Sequence, residues 1–365
     1  MTRLLFLLAS MVCAAAFAAP LQPTSDDQVI ERLPPAAPLA ATSSTDAASR
    51  ALALVAHARR TGDPRPAGQA LALLAPWRHD RNADASIVLA LAQAEQHLHD
   101  FTPALERLQS LVARDPSHAQ AWLMLATLHR LQGRYAASDA ACAGVARAGA
   151  ALHAAACHAE NDALRGRHEQ ARASLQRTRA AARDAATQAW LWTTLAELEL
   201  RAGRDDDAAA AFRAALRAQP DDGYAALALA DLLIAREQGS EARRVLQGQP
   251  DSDAVLLRVA AAGPADAPGR AAADELRRRF AQADLRPGAA APHARERAMF
   301  ALQVERDAAA ALRHARINVQ TQREPLDLLL LVRSARAAGD AQAAAQARSL
   351  IQETGLEDHR LASLR

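Results

Sequence analysis

From about Ala48 to the end of the chain, apolar residues recur every three or four positions, and Gly or Asp interrupts them at regular intervals. That spacing lines the apolar residues along one side of a 3.6-residue helix, so it predicts short amphipathic helices joined by tight turns. The stretch AWLMLATLHRLQGRYAASDA, Ala121 to Ala140, shows the unit: a helix, a turn at Gly133 and the start of a second helix. Trp122, Leu125 and Ala126 share a face of the first helix, and Cys142 and Val145 continue the apolar face on the second. The unit repeats. Phe101 in HDFTPALERL and Tyr135 in GRYAASDAAC are 34 residues apart, and Gly133, Gly166 and Gly203 follow one another at 33 and 37. Two short helices enclose too little surface to bury their apolar face, so stacking on neighbours must complete the core.

Trp122, Leu125, Ala126, Gly133 and Tyr135 resemble the tetratricopeptide signature. The segment WTTLAELELRAGRDDDAAAAFRAALRAQP resembles it more closely, with Trp192, Leu195, Ala196, Gly203, Ala208, Phe212, Ala215 and Pro220 at the family's spacings. Weaker copies begin near Ala48, Ala85, Leu152, Gly223 and Pro325, with Gly62, Gly166 and Gly339 at turns. Periodicity places two further helix pairs in 251–324, separated by GPADAPG and LRPGAAAPH. The resemblance implies an all-α, right-handed α-solenoid of about nine helix pairs, an array over 48–250 continued by similar repeats over 251–365. GDPRPAGQALALLAPW and QREPLDLLLLVRSARAAGD look like segments of exported proteobacterial tetratricopeptide proteins.

The N-terminus has a different pattern. In MTRLLFLLASMVCAAAFAAP, Arg3 precedes an apolar run from Leu4 to Phe17 and a small-x-small sequence at Ala16–Ala18. This is the order of a secretory signal peptide, residues 1–18, and it predicts export to the periplasm or beyond. An anchored form, or a lipid on Cys13, is the alternative; Val12 is large for a lipoprotein site, and the run is short for a bilayer span. Residues 19–47 are rich in Pro, Ala, Ser and Thr and read as a flexible lead-in.

Composition supports the all-α reading: about a quarter of the residues are Ala, and only 3% are aromatic. The 43 basic residues are all Arg, and with 41 acidic ones they leave a net charge of +2. No basic stripe for nucleic acid emerges.

Cys142 and Cys157 fall on helices that touch in a solenoid, and an oxidising compartment would let them bridge two repeats. The alternative is two buried thiols. His153 and Cys157 share a helical face while His158 points elsewhere, so these three do not form a recognisable ligand motif and no metal is expected. No nucleophile elbow, phosphate loop or dinucleotide fingerprint is present, and Asp205, Asp206 and Asp207 suit the start of a helix. The repeats leave no stretch for a catalytic domain, so neither an enzyme nor a cofactor is expected.

In the resembled family the first helix of each pair lines a concave groove. Transferred by spacing, the groove residues are Gln93, His97, Arg130, Glu160, Trp190, Glu197, Tyr224 and Asp231, with Arg333 and Arg336 on a basic flank. The resemblance implies a scaffold for a protein or peptide partner, with a cationic side chain facing the acidic centre. The family's two-carboxylate clamp lacks its basic and Asn residues here. A ligand- or metal-binding accessory protein and a self-stacking structural protein are the competing readings.

Overall fold

The computed structural model describes residue 25, residues 43–285 and residues 293–362. The predicted signal peptide, Cys13 and nearly all of the lead-in lie outside the described residues. Nine helix pairs follow one another along the described chain. The first five are α1 Ser44–Thr61 with α2 Arg65–Leu73, α3 Ala85–His97 with α4 Phe101–Arg114, α5 Ala119–Leu131 with α6 Tyr135–Arg147, α7 Ala151–Leu164 with α8 His168–Ala181, and α9 Ala185–Arg201 with α10 Asp205–Ala218. The next are α11 Gly223–Ala235 with α12 Gly239–Leu246, α13 Asp253–Ala261 with α14 Ala267–Asp284, α15 Ala294–Phe300 with α16 Ala308–Asn318, and α17 Pro325–Ala337 with α18 Ala341–Thr354. A π turn, Ala301–Glu305, extends α15, and a short helix α19, His359–Ala362, follows the last pair. The fold is an all-α solenoid, and the described residues contain no strand beyond one isolated bridge.

Local chemistry sets the helix ends. Ser43 accepts from the Asp46 amide, so α1 starts at Ser44, ahead of the periodic pattern. Asp184, Asp222, Asp266, Asp307 and Asp340 cap later helices in the same way. Asp205, Asp206 and Asp207 occupy the first turn of α10, the favoured end of its dipole. Packing then joins the pairs through small residues. Ala126 and Ala196 are fully buried, and Gly144 accepts the Trp122 indole so closely that a Cβ there would lie 2.3 Å from its Cδ2. That contact explains a glycine in mid-helix, where it disfavours helix formation.

The array also closes on itself. A Cβ on Gly62, in the α1/α2 turn, would lie 2.5 Å from the Cβ of Ser252, the residue that caps α13. At the α3/α4 turn, His99 Nδ1 lies 2.8 Å from Gln322 Nε2. The Arg323 amide donates to the Leu131 carbonyl of α5 at 2.7 Å, and the Glu357 amide to the Leu164 carbonyl of α7 at 2.9 Å. His359 reaches the α9/α10 turn, where a Cβ on Gly203 would stand 2.6 Å from its Cδ2. The turns of the first five pairs therefore carry the later units, and the apolar core follows: Tyr135 and Leu164 belong to the same cluster as Leu328, Leu356 and Leu361. Stacking of neighbours alone requires none of these contacts.

Candidate functional site

The first helices of the central pairs project their polar residues inward, and closure sets α15, α17 and α19 opposite them. Between the two walls lies a chamber of about 1290 Å³. Arg130, Glu160, Trp190, Glu197, Tyr224, Asp231 and Arg333 line it, which brings six of the eight expected groove residues and one flank residue to one space. Gln93, His97 and Arg336 are not among its lining residues. Gln93 and His97 lie one pair too early: the chamber begins at α5, and burial together with Arg59 on α1 lowers the His97 pKa. Arg336 is one turn beyond Arg333 and follows the exposed side of α17.

Most of the lining charges already have internal partners. Arg130 on α5 pairs with Glu160 on α7 at 2.9 Å, and Arg258 on α13 with Asp231 on α11 at 2.7 Å. Tyr224 on α11 donates its hydroxyl to Glu197 on α9 at 3.1 Å, and Glu197 also lies 3.3 Å from Arg201. Equivalent positions on successive first helices face one another, so a residue placed to meet a ligand also meets its own repeat. The result is a ladder of polar pairs along the inner wall.

The opposite wall was not legible from the repeat pattern. Arg295 on α15 binds Glu324 at 2.5 Å and Asp327 at 2.7 Å, and Arg360 holds Asp358 at 2.6 Å. Asn318 adds a bond to Asp327 at 2.6 Å. Arg333 has no salt bridge among the described residues; the crowding of the chamber wall and the neighbouring Arg360 lower its pKa, although it stays exposed. Tyr224 is 59% exposed, and its side chain faces the chamber. The Glu197 carboxylate, with Glu324 adding to it, raises its phenol above the usual value. Burial raises Glu324 as well, against the pull of Arg295. The acidic and aromatic side chains of Glu197 and Tyr224 thus share the chamber with Arg360 and, beside it, Arg333. Such a space can hold an extended polypeptide through charge and ring contacts.

Trp190 stands at the edge of this space. Its ring stacks on His153 at 5.7 Å and packs against the Leu191–Leu195 cluster, so it is part wall and part core. Nearby, Cys142 and Cys157 form a disulfide between α6 and α7, with Cα atoms 5.7 Å apart. His153 is turned to Trp190. His158, read from the helical wheel as pointing elsewhere, instead faces Asp139 and Cys142 across the α6/α7 contact.

Two sequence profiles described as tetratricopeptide repeat match the chain, one over residues 89–153 and 164–222, the other over 199–262. No curated protein matches. Among solved structures, the chain is similar to TTC0263, a thermophilic TPR protein of Thermus thermophilus, with 23% identity, 53% of this chain and 100% of that chain covered, and a TM-score of 0.44. It is similar to pilF of Pseudomonas aeruginosa at 18% identity, covering 55% of this chain and 91% of that one, with a TM-score of 0.39. Human IFIT1, solved as a dimer with PPP-AAAA, is 13% identical over 85% of this chain and 73% of that chain, with a TM-score of 0.43. With its helix pairs, its turn glycines and these profile matches, the chain carries tetratricopeptide repeats over residues 89–153 and 164–262.

Proposed function

We propose that the protein is a non-catalytic interaction scaffold of the bacterial cell envelope that holds an extended segment or helix of a partner protein against its inner wall. The observation that carries this reading is the convergence of Trp190, Glu197, Tyr224 and Asp231 on one chamber. Rigid aromatic anchors beside carboxylates favour a partner segment with an Arg or Lys at its centre. Export is part of the proposal and rests on the order of charged, apolar and small residues in 1–18; a disulfide between α6 and α7 is in keeping with an oxidising compartment. Both parts have direct tests. Fusing residues 1–25 to a reporter that is active only after export should give activity, and an inactive fusion removes the envelope from the reading. The full chain and a Trp190→Ala/Tyr224→Ala variant are immobilised and exposed to envelope extract. A partner held by the first and lost by the second, and displaced by a synthetic peptide with a central Arg, supports the scaffold; identical recovery on both removes these anchors.

A further inference from the structure

Asp139 and Cys142 stand one turn apart on the α6 face that meets α7, and α7 presents Cys157 and His158 to them. A carboxylate oxygen of Asp139, the Cys142 sulfur and a ring nitrogen of His158 all lie within 4.8 Å of one another. The Cys157 sulfur is bonded to that of Cys142. We propose that reduction of this disulfide converts the α6/α7 contact into a zinc site formed by Cys142, Cys157, His158 and Asp139.

The donor set suits the ion. Two thiolates, an imidazole and a carboxylate oxygen are tetrahedral zinc ligands, with metal–ligand distances of about 2.0–2.3 Å and ligand–ligand edges of about 3.3–3.8 Å. His158 Nδ1 and Asp139 Oδ1 are already 3.7 Å apart, and the two sulfurs, bonded to each other in the disulfide, must separate to such an edge once the bond is reduced. The surroundings hold these ligands as outer-shell partners do elsewhere. Asn161 Nδ2 donates to Asp139 at 2.8 Å and to the Cys142 sulfur at 3.5 Å, and Arg165 donates to the second Asp139 oxygen at 2.5 Å. Arg130 Nη1 stands 3.7 Å from the Cys157 sulfur. Arg130 is paired with Glu160, so it is the positive charge of Arg165 that offsets the surplus of two thiolates and a carboxylate over a divalent ion. The sulfurs are buried, whereas the side chains of His158 and Asp139 are 43% and 30% exposed, which gives the ion a path from solvent.

The chemistry balances with a dithiol as reductant. It delivers two electrons and two protons to the S–S bond and leaves as its cyclic disulfide. Zinc binding then releases the two thiol protons and forms two Zn–S bonds. Disulfide and metal exclude each other, because both use the same sulfurs.

Cobalt substitution provides the test. Full-length protein reduced with a phosphine, and shown by circular dichroism to remain helical, is titrated with Co²⁺ and then Zn²⁺. The expected result is one Co²⁺ per chain, with thiolate-to-cobalt charge transfer and the intense visible bands of a tetrahedral site, displaced by one Zn²⁺ and absent from the oxidised protein. His158→Ala and Asp139→Asn, both at partly exposed positions, should each weaken binding tenfold or more. Zinc should also slow alkylation of the reduced cysteines at least tenfold in the unaltered chain. Absence of the bands from folded, reduced protein overturns the proposal. So does equal affinity in both variants, which would mean that the thiols alone capture the metal.

Discussion

Arg323 donates its backbone amide to the carbonyl of Leu131, joining the segment before α17 to the last residue of α5. Such a bond between distant repeats makes the inner wall a chamber. Removing residues 356–365 deletes Glu357 and His359, which rest on the α7/α8 and α9/α10 turns, and takes Leu356 out of the core cluster shared with Tyr135 and Leu164. The shortened chain should stay helical but loosen, with a larger radius of gyration in small-angle scattering. A cysteine at position 224 in place of Tyr224 should react severalfold faster with a maleimide than in the full-length chain.

The turn glycines separate backbone strain from docking. Gly149 and Gly203 both have positive φ, but a Cβ at Gly149 meets nothing within 4 Å, whereas at Gly203 it meets His359. Gly149→Ala should lose about 1–2 kcal/mol, the left-handed penalty alone. Gly203→Ala should lose a further 1–3 kcal/mol or so through displacement of His359, as overpacked sites do. Urea denaturation of the two variants, with His359→Ala as a background that erases the difference, measures this.

The disulfide closes a loop of 15 residues. Replacing both cysteines with Ala should lower stability by about 3 kcal/mol in chemical denaturation without metal. The loss should not depend on closure, because the shortened chain retains α6 and α7.

His99 gives closure a pH dependence. Gln322 Nε2 is a donor, so the contact requires a lone pair on His99 Nδ1 and therefore a neutral ring. Burial lowers the His99 pKa first, and Arg295 adds to the effect; Glu296 and Asp327 pull the other way, and His293 adds a further lowering. A depressed folded pKa means that the stabilisation is complete above the ordinary histidine value and is lost as pH falls through the folded one. Hydrogen exchange around residues 99 and 322 should accelerate over that interval. His99→Asn keeps a side chain that tolerates positive φ, and it should flatten the profile.

The removal of one member of the inner ladder should be felt by its partner. Arg258 is 6% exposed, so Asp231→Asn leaves a buried guanidinium without its carboxylate and should destabilise by about 1.5–3 kcal/mol. Asp206→Asn, at an exposed pair with Arg236, should change stability by less than about 1 kcal/mol. Thermal denaturation of the two variants tests the contrast.

The repeat itself is local, and local patterns carried it. Trp122, Ala126, Gly133 and Tyr135 announce a helix pair because their spacing reflects contacts within the pair and with its neighbour. Closure is not local. Gly133, Gly166 and Gly203 read only as turns, yet Thr354, Glu357 and His359 rest on them, and no period links residues so far apart. The same gap left Arg295, Glu324 and Arg360 out of the expected site, since they reach the chamber only through closure. Gly144 was a usable local anomaly, because a glycine inside a helical pattern often marks a close approach, here by Trp122.

Contact between Gly62 and Ser252 and between Gly203 and His359 has a consequence for how this protein can change over generations. An open array survives the loss or duplication of a unit, since each unit answers only to its neighbours. Here an added pair would shift every later residue off the turn it rests on, all at once. The number of units behaves as a phase that must be kept, and variation should concentrate in substitutions and loop lengths that leave the count intact.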